Sequence, residues 1–143
     1  MQGIELLAPA GNFEKLKTAL YFGADAVYLG GKQFSLRSFA DNFSNEELKE
    51  AVSYAHTHGK KVYVAANIFM READFPALAE YFVFLKEIGA DAALVTDPGA
   101  FFLARKVAPG LPLHISTQAN TTNRYAAKFW LQQGAERVVA REL

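Results

Sequence analysis

Four side chains able to move a proton or hydrogen-bond a ligand, His114, Ser116, Gln118 and Asn120, recur at every second position of Leu113-His114-Ile115-Ser116-Thr117-Gln118-Ala119-Asn120. In an extended segment alternate side chains share a face, so these four point one way and Leu113, Ile115, Thr117 and Ala119 the other. A parallel strand covered on both sides reads as a nearly continuous Val/Ile/Leu run. A polar row in its place asks for a pocket. His114 on such a face can act as a base, a ligand or a phosphate contact, or it can be a satisfied core histidine. With Ser116 and Gln118 it forms the candidate catalytic set.

The candidate substrate-binding groups are Glu5, Arg37, Asn67, Arg71, Asp97, Asn120 and Arg141. Glu5 and Asn67 fall in or at the end of strand candidates, where bonding to backbone or water is the ordinary alternative. Asp97, before Pro98, and Asn120, before Thr121-Thr122, have helix capping as theirs. Lys32, Arg37, Arg71, Arg124 and Arg141 all fall near the carboxyl ends of strands, and Arg37, Arg71 and Arg141 are expected around one cleft suited to a phosphorylated or polycarboxylate ligand. The alternative is scattered, solvated charge. Arg124 stands early in a helix, where the dipole disfavours a cation. No metal site is expected: His56, His58 and His114 lack a spacing such as His-Glu-x-x-His. With no cysteine, disulfides, thiolate catalysis and Cys-ligated metal within the chain are excluded.

The elements that would position these groups alternate regularly. Strand candidates run Ile4 to Ala8, Ala26 to Leu29, Lys61 to Ile68, Ala92 to Thr96, the polar segment from Leu113, and Arg137 to Arg141. Helical stripes lie between them: Phe13-Leu16-Leu20; a helix opened by the capping box Ser44 and Glu47; Asp74 to Ile88 with Pro76 in its first turn; Asp97-Pro98 to Val107; and Thr122 to Gln133. Gly23-Ala24-Asp25, Gly89-Ala90-Asp91 and Gly134-Ala135-Glu136 punctuate three returns to the sheet. The loop from Lys32 to Phe43 is long for such a connection. Tyr28, Tyr63 and the phenylalanines read as core.

The 143 residues fit one domain, with 51% hydrophobic residues for its core. Fifteen Lys plus Arg balance fifteen Asp plus Glu, so no global field steers the chain toward a polyanion. Met1-Gln2-Gly3-Ile4-Glu5 lacks a leader pattern and no run reaches the roughly 18 apolar residues of a span, so the expected address is the cytoplasm, with no membrane partner. Strand-helix alternation implies parallel strands with right-handed crossovers. A doubly wound sheet would place a Gly-rich phosphate loop after the first strand, and Ala8-Pro9-Ala10-Gly11-Asn12 is not one. The polar strand favours a barrel, whose inner face can be polar at its carboxyl rim. The fold expected over residues 1–143 is α/β, a partial TIM-type barrel with the first six strands and five helices of eight. Open edges then predict a homo-oligomer.

Glu5-Leu6-Leu7-Ala8-Pro9-Ala10-Gly11-Asn12, Gly23 to Gly31, Phe34-Ser35-Leu36-Arg37, Thr96-Asp97-Pro98-Gly99, His114 to Asn120 and Arg141-Glu142-Leu143 together resemble the start of the collagenase-like peptidase family U32. The resemblance implies an N-terminal barrel followed by four cysteines that hold an iron–sulfur cluster. The cysteines and the family's signature segment are absent here, so the stretch alone is expected to be inactive. Members that hydroxylate RNA, including a tRNA wobble uridine with prephenate required, set the first functional expectation, and Ser35-Leu36-Arg37 resembles that branch. The implied partners are tRNA and a small polycarboxylate such as prephenate. A protease and a non-catalytic half-barrel are the other readings. For the protease, Ser116 has only His114 near it on the same strand.

Overall fold

A computed structural model of the chain describes residues 3–36 and 42–140. Its strands are β1 (Leu7–Pro9), β2 (Ala26–Gly30), β3 (Lys61–Ala66), β4 (Ala92–Val95), β5 (Leu113–Ile115) and β6 (Arg137–Val138). The helices between them are α1 (Phe13–Tyr21), α2 (Asn45–Thr57), α3 (Phe75–Glu87), α4 (Pro98–Val107) and α5 (Arg124–Gln133). All neighbouring strands are parallel and lie in the order β1-β2-β3-β4-β5-β6. Spatial order that follows chain order without reversal is the winding of a barrel. The chain is therefore the expected half-barrel of six strands and five helices, and among the described residues β1 and β6 do not pair with each other.

Strand alternation divides the apolar residues between two cores. Val62, Val64 and Ala66 of β3, with Leu113 and Ile115 of β5, pack outward against Leu16, Leu48, Val52, Leu78, Phe82 and Leu85 of the helices. Ala26, Tyr63 and Ala92 point inward and form a small inner cluster with Leu7, Tyr28 and Leu94.

Helix starts follow from local chemistry. Asn12, Asp97 and Asn123 accept backbone N–H groups of α1, α4 and α5, and Ser44 and Glu47 bond reciprocally at α2. The repeated Gly-Ala-acid returns also have one geometry. Gly23, Gly89 and Gly134 take φ of 103°, 81° and 110°, a left-handed region that costs glycine little. The acid that follows then closes the amino end of the sheet. The Asp25 N–H donates to Leu6 O and its carboxylate accepts from Leu6 N, both at 2.8 Å. Asp91 does the same with Val62, at 2.9 and 2.8 Å.

Several elements are shorter than the sequence suggests: β3 ends at Ala66, β4 at Val95 and α5 begins at Arg124, and the largest differences are in β1, β5 and β6. β1 begins at Leu7, and Ile4 is 99% exposed. β6 is described as Arg137–Val138, and Arg141 lies outside the described residues, as does Arg37. β5 ends at Ile115 because the Ser116 hydroxyl accepts the Gln118 N–H at 3.4 Å and turns the chain into a 3-10 turn over Thr117–Ala119. Asn120 then takes φ 60° and ψ 41°, a left-handed conformation that asparagine tolerates. Only His114 and Ser116 of the four polar residues keep the strand alternation.

Candidate functional site at the barrel mouth

At the carboxyl ends of the strands the half-barrel opens into a cavity of about 340 Å³. Pro9, Tyr28, Ala65, Asn67, Leu94, Ser116 and Gln118 line it from the strands and the turns that follow, and Ser35 and Asn42 line it from the β2–α2 loop. Among the described residues, none of its lining side chains is charged. The loop is drawn over the mouth by a bond from the Leu36 N–H to Asn67 Oδ1 at 3.2 Å. Gly30 makes the approach possible: a Cβ there would lie 2.5 Å from Ser35 Oγ.

The polar groups of the mouth offer both donors and acceptors. Asn67 has its carbonyl oxygen engaged by Leu36, which leaves its amide N–H groups to serve a ligand. Ser116 accepts from Gln118 N and keeps its own O–H. The Tyr28 phenol and the Gln118 amide add groups that both donate and accept, and Ser35, Asn42 and Thr117 line the cavity as well. Sequence places Tyr28 in the core by its type, whereas it lines the mouth. Ala26, Tyr28 and Gly30 share one strand face, in register with Lys61, Tyr63 and Ala65 of β3.

The inner face carries a second polar group toward the amino ends of the strands. Glu5 accepts from Tyr63 Oη at 2.8 and 3.0 Å and from Arg137 Nη1 at 2.8 Å, which ties the segment before β1 to β6 across the interior. Burial pushes the Glu5 carboxyl up, but the Arg137 and Tyr63 hydrogen bonds and the Arg137 charge outweigh it and hold it below its ordinary value. Burial, with the Glu5 carboxylate beside it, raises the Tyr63 phenol to about 12.

His114 belongs to this end. Its side chain is 2% exposed, its Nε2 lies 2.8 Å from Glu136 Oε2, and its ring meets the edge of Tyr63 at 4.7 Å. Burial depresses its pKa although Glu136 pulls the other way, so the neutral ring donates from Nε2. Glu136 is the acid of the third Gly-Ala-acid return: its N–H bonds Leu113 O at 2.9 Å as the aspartates' do, but its carboxylate reaches the His114 ring instead of a backbone amide.

Of the candidate catalytic set, then, Ser116 and Gln118 meet at the mouth, and His114 lies below them without lining it. Of the candidate binding groups, Asn67 lines the mouth and Glu5 sits in the opposite network. Asp97 is engaged with three backbone N–H groups, Gly99 at 2.6 Å, Ala100 at 3.3 Å and Met70 at 2.9 Å. Arg71 is exposed beside the 3-10 turn Glu72–Asp74, and Asn120 is exposed beyond the mouth turn; neither lines the cavity. The cleft of Arg37, Arg71 and Arg141 has two members outside the described residues.

The chain is similar to proteins of known kind. Over 139 residues it is 46% identical to tRNA hydroxylation protein P1 of Bacillus subtilis (strain 168), with 96% of this chain and 33% of that protein covered. Over 145 residues it is 46% identical to tRNA hydroxylation protein P of Helicobacter pylori (strain J99), covering 100% and 34%. The chain thus spans about a third of the length of these relatives. The structure of a U32 peptidase superposes with a TM-score of 0.75 at 16% identity, over 98% of this chain and 60% of that one, a likeness of fold. The model of peptidase family U32 matches residues 11–143, and the chain belongs to that family.

Proposed function

We propose that this chain forms the base-binding mouth of an RNA-hydroxylating enzyme of family U32, with a tRNA uridine as the base. The observation that carries the reading is a mouth uncharged among the described residues and lined by the hydrogen-bonding side chains of Tyr28, Asn67, Ser116 and Gln118. Uracil presents two carbonyl acceptors and one N–H donor, which the Asn67 amide N–H groups, the Tyr28 and Ser116 hydroxyls and the Gln118 amide can meet, since hydroxyls and amides both donate and accept. A base modified in RNA must leave its stack for such a pocket. The names of the similar proteins, tRNA hydroxylation proteins, support the same reading.

The chain's own part in this reaction is to bind and orient the base. The family's iron–sulfur cluster does not fit the residues present: there is no cysteine, and among the described residues no group of three or more His, Asp or Glu could hold a metal ion. In this reading the cluster is held by residues outside this sequence. A small polycarboxylate such as prephenate calls for cations, which the described cavity lining does not supply. Among the described residues no helix is long and apolar enough to cross a membrane.

Peptide hydrolysis has less support. Ser116 and His114 share no hydrogen bond, since the serine hydroxyl is turned to Gln118 N and the histidine Nε2 to Glu136. The test is titration of the isotopically labelled chain with uridine, followed by amide chemical shifts. Changes are expected at Tyr28, Asn67, Ser116 and Gln118 and not at Glu5, His114 or Glu136. Changes confined to the latter group, or none at all, would refute the assignment of the mouth.

A further inference from the structure

Beside the mouth, the first turn of α5 carries two residues placed against the interests of the fold. Arg124 is the first residue of the helix, where the dipole opposes a cation, and among the described residues it has no ion pair to offset this. Tyr125 is 69% exposed. The two are instead bonded to each other: the guanidinium lies over the tyrosine ring at 4.9 Å and Nη2 donates to the phenol oxygen at 3.1 Å. The result is a planar cation fixed against an aromatic ring that stands open to solvent.

Its position follows from the topology. The segment from β5 to α5 is a strand-to-helix connection, so the start of α5 lies on the same end of the sheet as Thr117 and Gln118, which line the mouth. Between them Thr121 is 2% exposed, which packs down the connection from which α5 begins, and among the described residues its hydroxyl has no hydrogen-bond partner.

We propose that Arg124 and Tyr125 form a second nucleotide contact on the rim of the mouth, where a base flanking the one in the cavity stacks on the Tyr125 ring while the Arg124 guanidinium meets the RNA backbone. The inference rests on the RNA reading of the mouth. Its chemistry is that of single-strand recognition, in which an exposed aromatic ring takes a base of any sequence and an arginine held in plane serves the phosphate or the stack. A substrate seized by one base needs such a contact, because a single pocket fixes neither the strand direction nor its register.

The test measures binding of a fluorescein-labelled, unmodified tRNA transcript by anisotropy for the wild-type chain and for Tyr125→Ala, Tyr125→Phe, Arg124→Ala, Arg124→Lys and Lys128→Ala, with thermal melts of each. Tyr125→Ala is expected to weaken binding about 5- to 100-fold with an unchanged melt, and Tyr125→Phe to keep most of the affinity because the ring remains. Arg124→Ala is expected to weaken binding and to flatten the slope of log affinity against log salt by about one. Arg124→Lys should not restore the affinity, since it lacks the planar fork. Lys128→Ala, an exposed cation on the same helix, sets the effect of charge alone. RNA binding that is the same in Tyr125→Ala and wild type overturns the proposal and leaves the mouth reading standing, and so does a lowered melt with unchanged affinity, which would make the ring a packing residue. A wild-type chain that binds uridine at the mouth but not the transcript also overturns it. Failure of both ligands overturns the mouth reading as well.

Discussion

Replacing Glu136 with alanine tests whether His114 is held for the fold. The Glu136 side chain is 61% exposed, so its removal uncovers little apolar surface, whereas the His114 side chain is 2% exposed with Nε2 bonded to Glu136 at 2.8 Å. The substitution leaves a buried N–H without its acceptor, at about 1 to 3 kcal/mol. Water can follow the exposed glutamate into part of the space, which puts the expected loss near the lower end, about 1 to 2 kcal/mol. For a chain of 143 residues that lowers Tm by about 3 to 6 °C. Glu136→Gln keeps an acceptor and is expected to lose less than half as much. The assay is calorimetry at several pH values. His114 titrates lower in the folded chain than its ordinary 6.5, so its neutral form contributes stability that is complete above about pH 6.5 and is lost as pH falls through the folded value. Without Glu136, which pulls that value up, the decline should extend to lower pH. An unchanged melt in Glu136→Ala, or stability that rises on acidification from pH 7 to 5.5, would refute the structural role of the pair.

Three further outcomes are expected. Gly30→Ala places a Cβ 2.5 Å from Ser35 Oγ and 2.9 Å from Ser35 Cβ, so it should displace the loop at the mouth, weaken uridine shifts and destabilise by about 1 to 3 kcal/mol, read by the same titration and a urea melt. Asp97→Ala removes the acceptor for Gly99, Ala100 and Met70 N–H groups and should destabilise by about 1 to 2 kcal/mol, with Asp97→Asn recovering part of this in chemical denaturation. As an isolated polypeptide of this sequence, the chain presents β1 and β6 as edges that are unpaired among the described residues, together with exposed Phe129 and Leu131 on α5, and should sediment as a dimer or larger species at micromolar concentration; a monomer there would show that the edges are tolerated.

The architecture was legible because its signals are local. The Gly-Ala-acid returns, the Ser44 and Glu47 capping box and the Asp97-Pro98 helix start each dictate geometry within a few residues, and each recurs in the fold. The site was legible in face but not in depth. Alternation correctly sends His114 and Ser116 to the interior, yet two residues of strand cover about 6.6 Å, enough to leave one at the mouth and the other bonded to Glu136 against the Tyr63 ring. Which layer a residue joins depends on the stagger of neighbouring strands, a non-local quantity. Gln118 reached the mouth by a turn and not by the strand, because Ser116 hydrogen-bonds Gln118 N. Tyr28 reads as core from its type, and it packs on the inner cluster, while its place on the Ala26-Tyr28-Gly30 face also makes it part of the cavity lining.

The most direct test of the mouth as a uridine site in RNA hydroxylation is a chimera in which this chain replaces the matching third of Bacillus subtilis tRNA hydroxylation protein P1, in cells that lack both that protein and the organism's tRNA hydroxylation protein P2, with hydroxyuridine in bulk tRNA measured by mass spectrometry. The expected result is restored hydroxyuridine, abolished or reduced at least tenfold by combining Ser116→Ala with Gln118→Ala, and largely kept in Glu136→Gln. A chimera that accumulates as a folded protein yet leaves the tRNA unhydroxylated, or one whose activity survives loss of both mouth residues, would contradict the account.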